Sequence, residues 1–252
     1  MRLSYSKIAD YETCPRKFWF TYIKGLRPEA NKYMIAGREI HEMLHYSTMR
    51  DNWKEYLLSH PKYDDYKAMV DNYIVYQDKV IKLGADPVPH KTEVKFHDAE
   101  YDFSLVIDRV DRFNGRTLIT DYKSDAKPDK DKHDKQLLLY SYFYSRKFPE
   151  DTVTHYAPFF IKAHKNIKAK ELKSEDVQEA LEWLKKNKKE IEEKGTNHEN
   201  FPPKPNRLCE WCGHRTGGYC KEGIKFIEDF YKQGEPVEFE GADISLGEDK
   251  NG

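Results

Sequence analysis

The sequence predicts an α/β fold in which a mixed, four-stranded sheet is flanked by helices. Three observations lead to this prediction. They are helical periodicity before residue 84, alternating apolar and polar residues between 91 and 123, and helical patterns on both sides of a fourth strand after residue 132. The 252 residues suit one large domain, or one domain with a small appendage.

The first 90 residues form a predicted helical region. Residues 4–24 have a helical pattern that breaks at Cys14-Pro15, because proline fits the first position of a helix. A second helix is expected over 31–50 and a third over 63–83, where Gly84 ends the pattern.

The sheet is expected from four segments: 92–96, 101–113, 116–123 and 153–161. Asn114-Gly115 lies between the second and third strands and predicts a tight hairpin, because both residues tolerate positive φ. Two helices, over 133–147 and 174–194, complete the predicted core.

Composition indicates an ordered protein without a global charge. Charged residues make up 35% of the chain, but aromatic residues make up 14%, which supplies apolar area that disordered chains lack. The formal net charge is −1. The segment 234–252 carries six acids and one base, which leaves +4 on residues 1–233 and permits polyanion binding. We expect this acidic tail to be mobile.

The chain shows no sign of export or membrane insertion. Its first residues lack an apolar stretch, and no run approaches the roughly 18 apolar residues of a membrane span. Four cysteines in a chain of this length do not resemble a secreted disulfide framework. We therefore expect a cytoplasmic protein with no membrane partner.

The hairpin register brings two carboxylates together. A two-residue loop at Asn114-Gly115 sets Asp108 opposite Asp121, with their Cβ atoms roughly 5 Å apart. Lys123 lies two residues beyond Asp121 and points to the same side. Such carboxylates repel unless they are neutralised, for example by a hard divalent cation. The lysine could then place a water or stabilise an oxyanion on phosphorus. The alternative is a solvated, charged hairpin face.

Three further residues are candidates for positions near these carboxylates. Gln136 and Tyr140 lie at i and i+4 on the helix after Asp121, so their shared face can return to the same site. Asp111 lies on the opposite register, and we expect it to contact solvent or a salt-bridge partner.

His41-Glu42-Met43-Leu44-His45 matches the H-E-x-x-H pattern of zinc peptidases on a predicted helix. A peptidase is therefore an alternative from another functional class. In a second interpretation His41 is a ligand for the hairpin metal, and His45 is a packing or surface residue.

Three of the cysteines lie close together near the C-terminus. Cys209, Cys212 and Cys220 form a knuckle, and Cys14 could supply a fourth thiolate. Four thiolates suit zinc or an iron–sulfur cluster. The spacing alone favours zinc, for which His214 could replace one cysteine. Either site would be structural and would clamp the two ends of the chain together.

Taken together, these residues resemble the RecB-type branch of the PD-(D/E)XK nuclease superfamily, which includes the AddB nuclease domain and the CRISPR-associated RecB-like exonucleases. The motifs span residues 3–220 in the family's order: Ser4-Tyr5-Ser6-Lys7-Ile8 with Cys14-Pro15-Arg16-Lys17-Phe18, Gly37-Arg38-Glu39-Ile40-His41, Ile107-Asp108-Arg109-Val110-Asp111, Asp121-Tyr122-Lys123, Gln136-x3-Tyr140 and the cysteine trio.

The resemblance implies a restriction-endonuclease-like fold and a set of site roles. Mg²⁺ or Mn²⁺ would be bound by three side chains and one backbone carbonyl: His41, Asp108, Asp121 and the carbonyl of Tyr122. Lys123 would orient the attacking water. Gln136 and Tyr140 would support the site and contact DNA. Glu93, on the neighbouring strand, could add a carboxylate.

The resemblance also implies a [4Fe–4S] cluster, in place of the zinc that spacing alone favours. Its ligands would be the four cysteines, Cys14, Cys209, Cys212 and Cys220. The last gap of the trio is seven residues, longer than is common in the family. Val106 stands where many members have glycine.

The sequence thus predicts a metal-dependent DNA exonuclease that acts on DNA ends or single strands. Its partners would be recombination, repair or CRISPR adaptation proteins. The expected regions are 1–90 (helical), 91–195 (nuclease core), 196–233 (cysteine region) and 234–252 (tail). A non-catalytic DNA-binding or recombination module of the same fold is the second functional class. Candidate lysines for the DNA path are Lys162, Lys165, Lys168 and Lys170.

Overall fold

A computed structural model of the chain describes residues 1–30, 32–124, 133–163 and 168–232. The chain divides into two units, the first ending at Lys204 and the second beginning at Pro205. The four regional boundaries predicted from sequence stay a proposal. The acidic segment 234–252, which we expected to be mobile, lies outside the described residues.

A mixed sheet organises the first unit. Its described strands lie side by side in chain order: β1 (Lys91–Asp98), β2 (Phe103–Phe113), β3 (Arg116–Lys123), β4 (His155–Phe160) and β5 (Lys170–Glu171). Strands β3 and β4 are parallel, and the other neighbours are antiparallel. The mixed α/β sheet is therefore confirmed. The sequence did not predict β5, because two residues are too few to show an alternating pattern.

The tight hairpin between β2 and β3 is confirmed. Asn114 and Gly115 have φ angles of 50° and 70°, as a turn with two left-handed residues requires. Phe113 consequently pairs with Arg116, and the register continues inward along both strands. The Asn114 side chain also donates a hydrogen bond of 3.0 Å to the carbonyl of Leu83, which ties the turn to the end of the preceding helix.

The N-terminal helices agree with the sequence prediction, with one addition. α1 (Tyr5–Thr13) and α2 (Pro15–Phe18) are separated at Cys14, and a π-helical turn, Trp19–Ile23, follows. α3 (Lys32–Thr48) and α5 (Lys67–Lys82) are the second and third predicted helices. The additional α4 (Trp53–Leu58) has only six residues, which is too short for a clear helical period.

Two apolar clusters cover the two faces of the sheet. One contains residues of α1, α6 (Asp134–Lys147) and α7 (Ser174–Glu193) with Ile107 and Ile119 of the sheet. The other contains residues of α3, α4 and α5 with Tyr122 and Phe159. α6 is the crossover that parallel pairing of β3 and β4 requires. The sheet therefore lies between two helical layers.

A buried ion pair lies under the second helical layer. Arg109 donates to both carboxylate oxygens of Asp111 at 2.7 Å, and neither side chain is more than 1% exposed. Arg109 also donates to the Tyr73 hydroxyl at 2.8 Å and to the Gln77 side chain of α5. Asp111 is thus a salt-bridge partner, one of the two roles expected for it.

The second unit is short and helical. The 3₁₀ turn Arg207–Trp211 begins at Asn206, whose side chain accepts a hydrogen bond from the Leu208 amide at 2.9 Å. α8 (Gly213–Thr216) and α9 (Lys221–Lys232) follow. Across the described ranges of both units, no helix combines the length and apolarity needed to cross a membrane.

Replacing Asp111 with alanine should destabilise the protein by about 3–5 kcal/mol, because it leaves the Arg109 guanidinium buried without a counter-ion. Urea unfolding measures this change. The double variant Arg109→Met/Asp111→Leu should recover part of the loss, since no charge is then buried. An Asp111→Ala protein as stable as wild type would contradict this account.

Candidate active site

Two buried aspartates meet at the inner end of the hairpin. Asp108 and Asp121 lie one step beyond the Arg109–Thr120 pair of the β2–β3 register, and they are 8% and 4% exposed. Asp108 Oδ2 accepts a hydrogen bond of 2.6 Å from the backbone amide of Tyr122. The register argument from sequence therefore describes their placement correctly.

Lys123 shares the face of Asp121. Its Nζ lies 2.6 Å from Asp121 Oδ2 and donates to Gln136 Oε1 at 2.7 Å. The carboxylate and the amide oxygen hold the ammonium group in one position. A lysine ammonium carries only donors, so Lys123 is placed to donate hydrogen bonds.

Helix α6 contributes Gln136 and Tyr140 to this hydrogen-bond network. Gln136 Nε2 donates to Asp121 Oδ1 at 3.1 Å and to the Tyr140 hydroxyl at 2.9 Å. The i, i+4 spacing does place both residues on the face that returns to the carboxylates, as the sequence indicated. Gln136 bridges Asp121 and Lys123, so it fixes their separation.

A second group of possible ligands surrounds Asp108. One ligand atom each from His41, Glu93 and Asp108 lies within 4.8 Å of the others. His41 Nδ1 is 3.4 Å from Asp108 Oδ1. Glu93 faces Asp108 across β1 and β2, because the Thr92–Arg109 and Val94–Ile107 pairs flank it. Asp121 is not part of this group, which was found among the described residues.

Glu93 is held in an unfavourable backbone conformation. Its φ is 49°, in the left-handed region that glycine favours, although it lies within a strand. Such strain is typical of residues at functional sites. The sequence pattern gave little sign of Glu93, because its position depends on the β1–β2 register, which no tight-turn motif fixes.

The electrostatics of the site show excess negative charge. Burial and the charge of Asp108 raise the pKa of Asp121 to about 6, although Lys123 opposes the shift. Burial and the same Asp108 charge raise the pKa of Glu93. Burial lowers the pKa of His41, but its hydrogen bond with Asp108 and nearby carboxylate charges outweigh this and the net pKa is raised. A divalent cation would relieve this repulsion.

The site opens into a cleft of about 830 Å³. One wall is a face of α3, and His41 lies on it. Glu93, Val106 and Asp108 of the sheet and Ser124 after β3 form other parts of the lining. The candidate ligands are therefore accessible to a bulky substrate.

Comparison with known proteins identifies the family. The sequence model of the PD-(D/E)XK nuclease superfamily matches residues 2–217. The chain belongs to the PD-(D/E)XK nuclease superfamily. The solved structure of a protein described as "Putative exonuclease" from Eubacterium rectale superposes with a TM-score of 0.50 and 16% identity, over 84% of this chain and 86% of that chain. No curated protein gave a significant match.

PD-(D/E)XK membership confirms the restriction-endonuclease-like fold and supports a nuclease. Members of this superfamily generally use divalent metals such as Mg²⁺, which agrees with the acidic group around Asp108. The match reaches the superfamily, so the RecB-type subdivision stays a prediction from the motifs.

The peptidase alternative receives no support from the placement of His45. Its Nδ1 lies 2.6 Å from Thr92 Oγ1, in a hydrogen bond with β1. The metal-ligand group found among the described residues contains His41 but neither Glu42 nor His45. His45 is thus a packing residue at the cleft wall, one of the roles expected for it.

The cysteines are divided between the two units. Cys14 belongs to the first unit, and Cys209, Cys212 and Cys220 belong to the second. Within the second unit, Cys220 Sγ accepts from the Gly223 amide at 3.4 Å, at the start of α9. The cluster itself stays a prediction.

The lysines expected along the DNA path have different environments. Lys170 forms an ion pair with Asp134 at 2.5 Å, so its charge is already compensated. Lys168 is exposed, and Lys162 is half-buried after β4. Lys165 lies outside the described residues.

Glu93→Gln should raise the melting temperature of the metal-free protein at pH 7. The pKa of Glu93 is higher in the folded than in the unfolded protein, so its ionised form destabilises the fold and the neutral amide does not. The gain should shrink as the pH falls and vanish below about pH 3.5, where the carboxyl is protonated in both states.

Thermal unfolding in EDTA measures this effect. The control is Glu42→Gln, which changes an exposed acid in the same cleft but outside the ligand group. An unchanged or lower melting temperature for Glu93→Gln at pH 7 would contradict the proposed carboxylate repulsion.

Proposed function

We propose that this chain is a metal-dependent DNA exonuclease that acts on DNA ends or single strands. The observation that carries the proposal is the joint placement of Asp108, Asp121 and Lys123, which the hairpin register and Gln136 hold together. Superfamily membership supports the nuclease part. The motif resemblance to RecB-type exonucleases supports the exonuclease part.

Mg²⁺ or Mn²⁺ suits the residues around Asp108. Imidazole nitrogen and carboxylate oxygens are suitable donors, and the raised pKa values of Glu93 and Asp121 report a negative charge that a cation would compensate. His41, Asp108 and Glu93 would hold the ion. The motif resemblance adds Asp121 and the Tyr122 carbonyl to the set. When bound, the ion supplies charge neutralisation at the phosphate and lowers the pKa of water.

The other catalytic roles belong to side chains of the protein. Lys123 donates hydrogen bonds to the attacking water and to the charge that develops on the phosphate oxygens. Asp121 and the Gln136 side-chain carbonyl fix the position of this lysine. The Tyr140 hydroxyl accepts from the Gln136 amide and so orients it. The motif resemblance implies that both residues also contact DNA. Because these groups are positioned before substrate binds, little reorganisation is needed during hydrolysis.

A non-catalytic DNA-binding or recombination module is the second functional class. It has no physical need for repelling buried carboxylates beside a lysine, since these cost stability without a bound cation. We therefore favour the enzyme. Recombination, repair and CRISPR adaptation proteins are the proposed partners, and the cytoplasm is the proposed location, as expected from sequence.

We further propose that Cys14, Cys209, Cys212 and Cys220 bind a [4Fe–4S] cluster, with zinc as the alternative. The motif resemblance supports this assignment. Inside the second unit, Arg215 donates to the carbonyls of Cys209 and Glu210 at 2.8 and 2.6 Å. These bonds brace the backbone of the knuckle.

Lys123→Ala should lower the rate of DNA cleavage at least about 100-fold, because it removes a positioned donor to the developing charge. End-labelled single- and double-stranded DNA with Mg²⁺, Mn²⁺ or EDTA provides the assay. The matched control, Lys82→Ala, changes an exposed lysine at the end of α5 and should retain activity. A folded Lys123→Ala enzyme with wild-type activity would refute the mechanism.

Protein purified without oxygen should be brown and contain about four iron and four sulfide per chain, as one [4Fe–4S] cluster requires. Cys212→Ser should lower both contents together with the visible absorbance. A colourless wild-type protein with one zinc per chain would refute the cluster and favour the alternative.

A further inference from the structure

Helix α3 exposes two aromatic side chains outside the core. Ile40, Met43 and Leu44 pack into the core. Tyr33, near the start of the helix, and Tyr46, near its end, are 44% and 62% exposed and line the cleft. A surface helix normally places polar residues on its outer face. Clustered exposed apolar groups mark a surface that binds something.

Helix α3 forms a wall of the active-site cleft. Eight residues of α3 line the cleft at helical spacing: Tyr33, Met34, Gly37, Arg38, His41, Glu42, His45 and Tyr46. At 1.5 Å per residue, Tyr33 lies about 12 Å along the helix axis to one side of His41, and Tyr46 about 7 Å to the other. The candidate metal group thus lies between two exposed tyrosines.

The Tyr46 ring contacts the ring of His45. Its centroid lies 5.1 Å from that of His45, which is fixed by the hydrogen bond to Thr92. A pre-positioned aromatic ring loses less conformational entropy when a ligand stacks on it. His45 is not part of the candidate metal group, and its ring contact supports Tyr46 at the cleft wall.

The charged residues on this wall of α3 do not give it a net positive charge that would bind phosphates. Arg38 and Glu42 lie one turn apart on the same face and have opposite charges. The wall therefore offers aromatic faces more than net positive charge. Aromatic side chains bind nucleic acid by stacking on unpaired bases, whereas a duplex keeps its base faces covered by neighbouring pairs.

We propose that Tyr33 and Tyr46 stack on unpaired nucleobases on either side of the metal group, so that the cleft selects single-stranded over double-stranded DNA. This inference rests on the proposed nuclease function. Arg38 would contact a backbone phosphate between the two stacked positions. The exposed tyrosines, rather than the lysines near residue 165, would then determine the strand preference.

Fluorescence anisotropy in EDTA tests the proposal without cleavage. The probes are a labelled single strand, its duplex, and the same strand with abasic sites. Tyr33→Ala and Tyr46→Ala should each weaken single-strand binding about tenfold, and the Tyr→Phe variants should bind like wild type. Because stacking releases no counter-ions, the salt dependence of binding should be unchanged.

The abasic strand isolates stacking from other contacts. On it, the alanine variants and wild type should bind equally, because no base remains to stack. The control is Ile35→Ala, which changes an exposed apolar residue of the same helix that does not line the cleft. It should bind every probe like wild type.

Tyr33→Ala and Tyr46→Ala variants that bind the single strand like wild type would overturn the proposal. So would a wild type that binds duplex or abasic DNA as tightly as the single strand. Failure of the nuclease function is distinguishable. In that case no DNA is cleaved in a Lys123-dependent way, whereas failure of the stacking wall alone leaves Lys123-dependent cleavage intact.

Discussion

The register of the β2–β3 hairpin is the constraint on which the site depends. Asn114 and Gly115, both with left-handed φ angles, set this register. The Asn114 side chain also donates a hydrogen bond to the Leu83 carbonyl, which ties the turn to α5. A slip of one residue would turn Asp121 and Lys123 to the opposite face of the sheet. With the observed register, Asp108 lies beside Asp121, and Gln136 of the crossover helix reaches both Asp121 and Lys123.

Neighbouring residues of strand β2 have different roles. Asp108 lines the cleft, while Arg109 is buried and donates to Asp111, Tyr73 and Gln77. This arrangement couples the chemistry to the fold, because the buried ion pair fixes the strand that carries the central carboxylate. The carboxylates then lie close enough to repel, a cost that a cation would offset. The site is therefore arranged for a ligand rather than for maximal stability.

Sequence patterns predicted those features that depend on local rules. Three local features predicted which side chains meet at the site: the turn at Asn114-Gly115, the period of the strands and the i, i+4 spacing on α6. The side chains are Asp108, Asp121, Lys123, Gln136 and Tyr140. The contribution of Glu93 was only weakly indicated, because it depends on a strand pairing without a tight-turn motif and on a strained φ. Helix α4 and strand β5 are too short to show a period.

The most direct test of the account is the position of a bound cation. Crystals grown or soaked with Mn²⁺ would locate the ion by its anomalous scattering. The account predicts a Mn²⁺ peak coordinated by Asp108 together with His41 and Glu93, beside the Asp121–Lys123 pair. A peak held by His41 and His45 instead, or no peak at Asp108 in crystals that diffract well, would contradict it.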